Sequence, residues 1–131
     1  MKAPSYRERS GRQADFRVRY RFLTEAEGGR HSLPFQHIRS DFLYEGDDPT
    51  TDGVWCIWPE FLGPAGHVIP EDERVPAEGL ADMFILNDDL RPEHRLRIRA
   101  GTKGFFVEGA RRTAACEVVE VLSLNRANEL R

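Results

Sequence analysis

The sequence is poor in sulfur-containing residues and has no long apolar run. It has two cysteines and two methionines in 131 residues, and no stretch approaches the ~20 apolar residues that a membrane-spanning helix needs. The opening residues, MKAPSYRERSGRQ, lack the apolar centre of a secretory signal. We therefore expect a cytoplasmic protein without a disulfide. We also expect Cys56 and Cys116 to be free and buried, because both have apolar neighbours.

Catalytic and metal-binding motifs are also missing from the sequence. The histidines and cysteines lack the close spacing of zinc ligands. No Gly-x-x-x-x-Gly-Lys-Ser/Thr phosphate-binding loop occurs. The paired acidic residues lie in polar, turn-rich stretches, where carboxylates are usually solvated. We predict that the chain has no catalytic residues, binds no metal, cofactor or nucleotide, and is not an enzyme.

Charge is distributed unevenly along the chain. Residues 1–40 carry a net charge of plus 5, residues 41–93 of minus 12 and residues 94–131 of plus 4. A partner senses the local field within about 8–10 Å rather than the overall charge of the chain. We expect the arginines of the first strand to find their counter-charges in the acidic middle segment.

Glycine and proline are plentiful, with 11 and 8 residues, and they divide the chain into short segments. In the clearest segment, FRVRYRF, apolar residues alternate with arginines. This period of two predicts a strand at 16–23 with its arginines facing outwards. The residues that it predicts to face the core are Phe16, Val18, Tyr20 and Phe22.

Similar reasoning predicts five or six further strands and no convincing helix. One of them covers 95–99, where Leu96 and Ile98 alternate with arginines. The others are expected near 33–44, 54–62, 80–87, 105–107 and 113–122. Many short strands separated by turn-rich connections are typical of an all-β barrel or sandwich.

Two turn motifs carry a resemblance to a known family. The first is Glu27-Gly28-Gly29-Arg30-His31, and the second, about 80 residues later, is Glu108-Gly109-Ala110-Arg111. Together with the strands around them they resemble the C-terminal β-barrel domain (domain 3) of translation elongation factor Tu, here as a stand-alone domain without the GTPase domain. The resemblance implies a closed antiparallel Greek-key β-barrel of about six strands.

The resemblance and the composition together define a domain organisation. The barrel is expected at 15–123. Residues 1–14 are basic and have few large apolar side chains, so we expect a disordered N-terminal arm. The polar residues 124–131 are expected to form a flexible tail.

The resemblance also implies a non-catalytic binding module with a link to translation. In the family, the first turn and a later arginine meet the tRNA backbone, and the matching positions here are Arg30, His31, Arg39, Gly109 and Arg111. Arginines on tight turns suit phosphate groups, which a guanidinium binds through two hydrogen bonds. We predict a macromolecular partner, in first place a protein. The alternative is tRNA or other RNA.

Two features keep a structural interpretation open. Arg30 and His31 can stabilise their turn by pairing with Glu25 or Glu27. In the aromatic run WCIWPEFL, the side chains of Trp55, Trp58 and Phe61 either pack in the core or form an exposed protein-binding patch. An acidic rim around such a patch would select a basic partner.

Overall fold

The computed structural model describes residues 13–124, and these fold as six β-strands and one α-helix. Most of the predicted N-terminal arm and tail lies outside the described residues. Ala14 and Leu124 are 1% and 0% exposed, so both side chains pack against the folded domain. The elements in chain order are β1 (Phe16–Phe22), β2 (Asp41–Tyr44), β3 (Ile57–Leu62), β4 (Glu78–Ile85), α1 (Arg91–Arg97), β5 (Lys103–Glu108) and β6 (Arg111–Val121).

The six strands form a single antiparallel sheet in the order β2-β5-β6-β1-β4-β3. The sheet curls into a half-barrel and stays open between β2 and β3. The prediction of six antiparallel strands is therefore confirmed, and the prediction of a closed barrel is wrong. β2 has only four residues. The outer edge of β3 forms hydrogen bonds to the side chain of Gln36.

At both edges of the open sheet, backbone groups form hydrogen bonds with residues outside the strands. On β2, Phe42 exchanges two hydrogen bonds with Trp55, of 2.9 and 2.8 Å. On β3, Pro59 has no N–H to donate. The side-chain amide of Gln36 accepts from the Phe61 N–H and donates to the Phe61 carbonyl, both at 2.8 Å. These contacts leave few free donors and acceptors for an added strand.

Strand β1 follows the predicted alternation. Phe16, Val18, Tyr20 and Phe22 are buried, and the Tyr20 and Phe61 rings pack edge to face with centroids 5.0 Å apart. Outside, Arg17 Nε lies 2.7 Å from Asp82 Oδ1. The counter-charge predicted in the acidic middle segment is thus confirmed for Arg17.

The prediction of a strand at 95–99 is wrong, because the first of these residues belong to helix α1. The Asn87 side chain accepts a hydrogen bond of 3.0 Å from the Asp89 N–H in the turn before the helix. Pro92 occupies the first turn of α1, where its missing N–H costs nothing. Leu96 is consequently 76% exposed, whereas Ile98 is buried.

The two cysteines differ in environment, and both are free. Cys116 is buried, and this burial raises the pKa of its thiol. Cys56 is exposed, contrary to the prediction. Its neighbour Ile57 points into the core, and adjacent residues of an extended chain point to opposite sides.

Candidate functional site

The two motif turns meet in space through one ion pair. Arg30 Nη1 lies 2.6 Å from Glu108 Oε2, although the two residues are 78 positions apart in the chain. We call Gly28–His31 together with Glu108–Arg111 the double turn. Each half contains a glycine with a left-handed backbone, Gly28 at φ 91° and Gly109 at φ 61°.

The residues before the first turn fix its shape. Thr24 and Glu27 form a capping box: the Thr24 hydroxyl accepts from the Glu27 N–H at 3.2 Å, and the Glu27 carboxylate accepts from the Thr24 N–H at 2.8 Å. At Gly29, a Cβ atom would lie 2.2 Å from the Leu23 carbonyl oxygen. The chain therefore needs glycine at this position.

Most charges around the first turn are paired within the protein. His31 Nδ1 lies 2.9 Å from Glu25 Oε2, with both side chains well exposed. Arg21 Nη1 lies 3.1 Å from Glu27 Oε1. The hydrogen bond from Arg21, followed by that from the Thr24 N–H, lowers the pKa of Glu27 to about 2. The predicted pairing with Glu25 is thus confirmed for His31, whereas Arg30 pairs with Glu108.

The second turn presents two exposed arginines. Arg111 is exposed and makes no ion pair with another residue of the described range 13–124. The Arg112 guanidinium lies 5.0 Å from the centre of the Phe105 ring. Arg39, the remaining predicted site residue, contacts a different part of the molecule, since its guanidinium lies 5.5 Å from the centre of the Trp58 ring.

The aromatic run does not form the single exposed patch of the second interpretation. Phe61 is 0% exposed and belongs to the core. Trp55 is half-buried against the same core, and its ring packs edge to face with that of His94, with 4.8 Å between the ring centroids. Trp58 is half-buried under Arg39. Neighbouring positions alternate between the two faces of an extended segment, so Trp58 lies on the other face of β3 from Phe61.

A second candidate site lies where residues 33–37 and 67–75 run side by side, and we call this pair of segments the clamp. Phe35 and Arg74 form an isolated antiparallel bridge. The Val75 N–H donates to the Pro34 carbonyl at 2.9 Å, and the Arg74 guanidinium donates to the Leu33 carbonyl. Sequence reasoning missed this site because its contacts join segments far apart in the chain.

His37 is the strained residue of the clamp. Its backbone has φ 67°, the only positive value at a non-glycine residue in 13–124, and this conformation is uncommon for side chains larger than glycine. Its ring lies between two carboxylates, 3.2 Å from buried Glu60 and 3.4 Å from exposed Glu71. The contact with Glu71 joins the two segments of the clamp, and the contact with Glu60 joins the clamp to β3.

A buried polar cluster lies where α1 packs on β2. The Tyr44 hydroxyl and His94 Nδ1 are 2.6 Å apart. Burial, and then the charge of Arg97, lower the pKa of His94 to about 4, so its ring is neutral at neutral pH. Burial also raises the pKa of Tyr44. The cluster therefore stabilises the junction of helix and sheet.

Within 13–124, no group of three or more His, Cys, Asp or Glu side chains is arranged to hold a metal ion. No helix in this range is long and apolar enough to cross a membrane.

Compared with known proteins, the chain matches no family model and no curated protein.

Proposed function

We propose that this chain is a non-catalytic binding module, related to the C-terminal domain of elongation factor Tu, whose double turn contacts a macromolecular partner. The observation that supports this proposal is the Arg30–Glu108 ion pair. It joins the two motif turns on which the family resemblance rests. A link to translation follows from the same resemblance.

The charge pattern of the double turn favours a protein over RNA. Arg30, His31 and the nearby Arg21 each face a carboxylate at 2.6 to 3.1 Å. Binding of a polyanion gains most from cations that are free to neutralise phosphates. A surface of paired charges instead suits the mixed polar rim of a protein–protein interface.

RNA remains the second candidate because of one specific feature. Arg111 and Arg112 are adjacent and exposed at the second turn. Gly109 leaves room there for the backbone to approach a ligand closely. A phosphate can accept hydrogen bonds from such a guanidinium pair.

Affinity capture with two matched variants tests the protein proposal. Arg111→Glu reverses a charge at the double turn, and Arg99→Glu makes the same change at an exposed arginine elsewhere on the surface. We expect a partner that the unmodified protein and Arg99→Glu both retain, and that Arg111→Glu loses. Equal recovery by both variants would contradict the placement of the interface.

A titration with tRNA tests the second candidate. If RNA is the ligand, binding weakens steeply with rising salt, and Arg111→Glu lowers the number of phosphates neutralised. Lack of binding at low salt would exclude this function. If Arg111→Glu still binds tRNA and its affinity depends on salt concentration as in the unmodified protein, the RNA contacts a surface other than the double turn.

A further inference from the structure

Four large apolar side chains in residues 13–124 are notably exposed, and two of them belong to the clamp. Phe35 is 45% exposed and Val68 is 38% exposed. Their neighbours Gln36 and Ile69 are buried, and the Gln36 amide donates to the Ile69 carbonyl at 2.9 Å. Since Gln36 and Ile69 point inwards from adjacent segments, Phe35 and Val68 point outwards from the same pair of segments.

The backbone that carries Phe35 is held firmly. Its residue forms a bridge with Arg74, and the preceding Pro34 carbonyl accepts from the Val75 N–H. The following residue, Gln36, makes three hydrogen bonds to the backbone of β3 and Ile69. An exposed aromatic ring on a fixed backbone loses little conformational entropy when a partner covers it.

The surface beside these apolar side chains is acidic. Glu71, Asp72 and Glu73 are all exposed on one turn, which is closed by a 3.1 Å hydrogen bond from the Glu73 N–H to the Pro70 carbonyl. Arg74 is the nearby cation, and its guanidinium lies 4.5 Å from the centre of the Phe35 ring. The Phe35 ring thus already binds one cation on its face.

We propose that the clamp is a second interaction surface, separate from the double turn, for a basic segment of a partner protein that carries an apolar side chain. The apolar side chain packs against Phe35 and Val68. Lysine or arginine side chains of the same segment meet the carboxylates of Glu71, Asp72 and Glu73. Charge complementarity selects this partner, because an acidic segment would be repelled by all three carboxylates.

Labelled dodecapeptides of defined sequence test this proposal in fluorescence anisotropy. The probe alternates lysine with leucine, and two control peptides replace every leucine by serine or every lysine by glutamate. We expect saturable binding of the lysine–leucine peptide, weaker binding at higher salt, and at least about tenfold weaker binding of both controls. An equal affinity for the lysine–serine peptide would show attraction by charge alone and overturn the proposal.

Variants of the protein locate the peptide. Phe35→Ser and Val68→Lys should each weaken binding by about tenfold or more, as expected for the loss of an anchoring side chain. Neutralising the acidic turn as Glu71→Gln, Asp72→Asn and Glu73→Gln should weaken binding and reduce its salt dependence. A matched control neutralises three exposed acids elsewhere and should bind like the unmodified protein: Asp89→Asn, Glu93→Gln and Glu120→Gln.

Amide chemical shifts in a titration with the peptide give an independent readout. We expect changes concentrated in 33–37 and 67–75, also in Arg111→Glu, which separates this surface from the double turn. Changes located elsewhere would overturn the proposal. Sedimentation of the protein alone would overturn it as well if it revealed a dimer that Phe35→Ser abolishes, because a second copy would then occupy the clamp. If Phe35→Ser fails to fold, Val68→Lys decides the outcome.

Discussion

Gln36 connects the clamp to the sheet, and replacing it with leucine tests how much this connection stabilises the fold. The residue is 5% exposed. Its amide accepts from the Phe61 N–H at 2.8 Å and donates to the carbonyls of Phe61 and Ile69 at 2.8 and 2.9 Å. Gln36→Leu keeps a side chain of similar size but removes these three hydrogen bonds and the 3.4 Å hydrogen bond that the amide oxygen accepts from the His37 N–H.

The expected cost follows from the groups left without a partner. The Phe61 carbonyl keeps a second donor, the Ile69 N–H at 3.1 Å. The Phe61 N–H and the Ile69 carbonyl lose their Gln36 partner. Each buried group without a partner costs about 1–3 kcal/mol, so we expect Gln36→Leu to lower the free energy of unfolding by about 2–6 kcal/mol. Small domains have about 5–15 kcal/mol in all.

Urea unfolding, followed by tryptophan fluorescence and far-UV circular dichroism, measures this loss. The control is Gln13→Leu, which makes the same change at an exposed position and should leave the midpoint unchanged. A loss below about 1 kcal/mol for Gln36→Leu, with an unchanged denaturant slope, would refute the reasoning. It would mean that the Gln36 amide contributes little to the stability of the β3 edge.

Gln36→Glu tests the direction in which stability changes with pH when a carboxyl group replaces this amide. One oxygen of the introduced carboxyl can accept from the Phe61 N–H, but the other faces the carbonyl oxygens of Phe61 and Ile69. The charged form is disfavoured in this buried place, so the folded-state pKa lies above the ordinary ~4.3 of glutamate. The stability of this variant is then retained below pH ~4.3, where the carboxyl is protonated. It is lost as the pH rises through the folded-state pKa. The comparison is made with the unmodified protein at the same pH, and a variant whose stability deficit is smaller at pH 7 than at pH 4 would contradict this geometry.

Three further substitutions test the packing of the sheet and of the helix. At Gly104, an added Cβ would lie 2.7 Å from the Leu43 carbonyl oxygen, so Gly104→Ala should cost about 1–3 kcal/mol in urea unfolding. Gly79→Ala, where the closest contact is 3.3 Å, should cost less, and the reverse order would contradict the packing. His94 has a folded pKa of about 4 against an ordinary 6.5, so its contribution is complete above pH ~6.5 and is lost as the pH falls towards 4. We expect a loss of about 3 kcal/mol between pH 7 and pH 4 that His94→Asn lacks; a parallel loss in both proteins would show that another group titrates.

The strand predictions succeeded where the period of two was long and its turns contained glycine. Strand β1 alternates over its seven residues, and each inward residue is buried. The turn at Gly28 needs a left-handed backbone, which glycine adopts without strain. Such features act within a few residues, so the sequence alone reveals them.

The prediction failed at 95–99 for an equally local reason. Five residues of alternation fit a strand, but they also fit the exposed and buried sides of a short helix. The start signals at Asn87 and Pro92 lie outside that window. Once α1 begins, Leu96 points to solvent and His94 points to the core.

The sites depended on contacts between distant residues. The motifs correctly placed Gly28 and Gly109 in turns, and the Arg30–Glu108 pair links the two motifs across 78 positions. No pattern in the sequence indicated that His37 lies between Glu60 and Glu71, or that Phe35 stays exposed while Phe61 is buried. Aromatic content alone does not tell which ring faces the core.

The sequence by itself determined the all-β class, the course of β1 and the positions of both motif turns, because alternation and glycine act through the local backbone. The tertiary structure decided that the sheet stays open, that Gln36 occupies the edge of β3, and that the charges of the first turn are paired. It also decided which aromatic side chain is exposed at the clamp. These outcomes depend on which segments meet across the fold, and therefore on the packing of the whole chain.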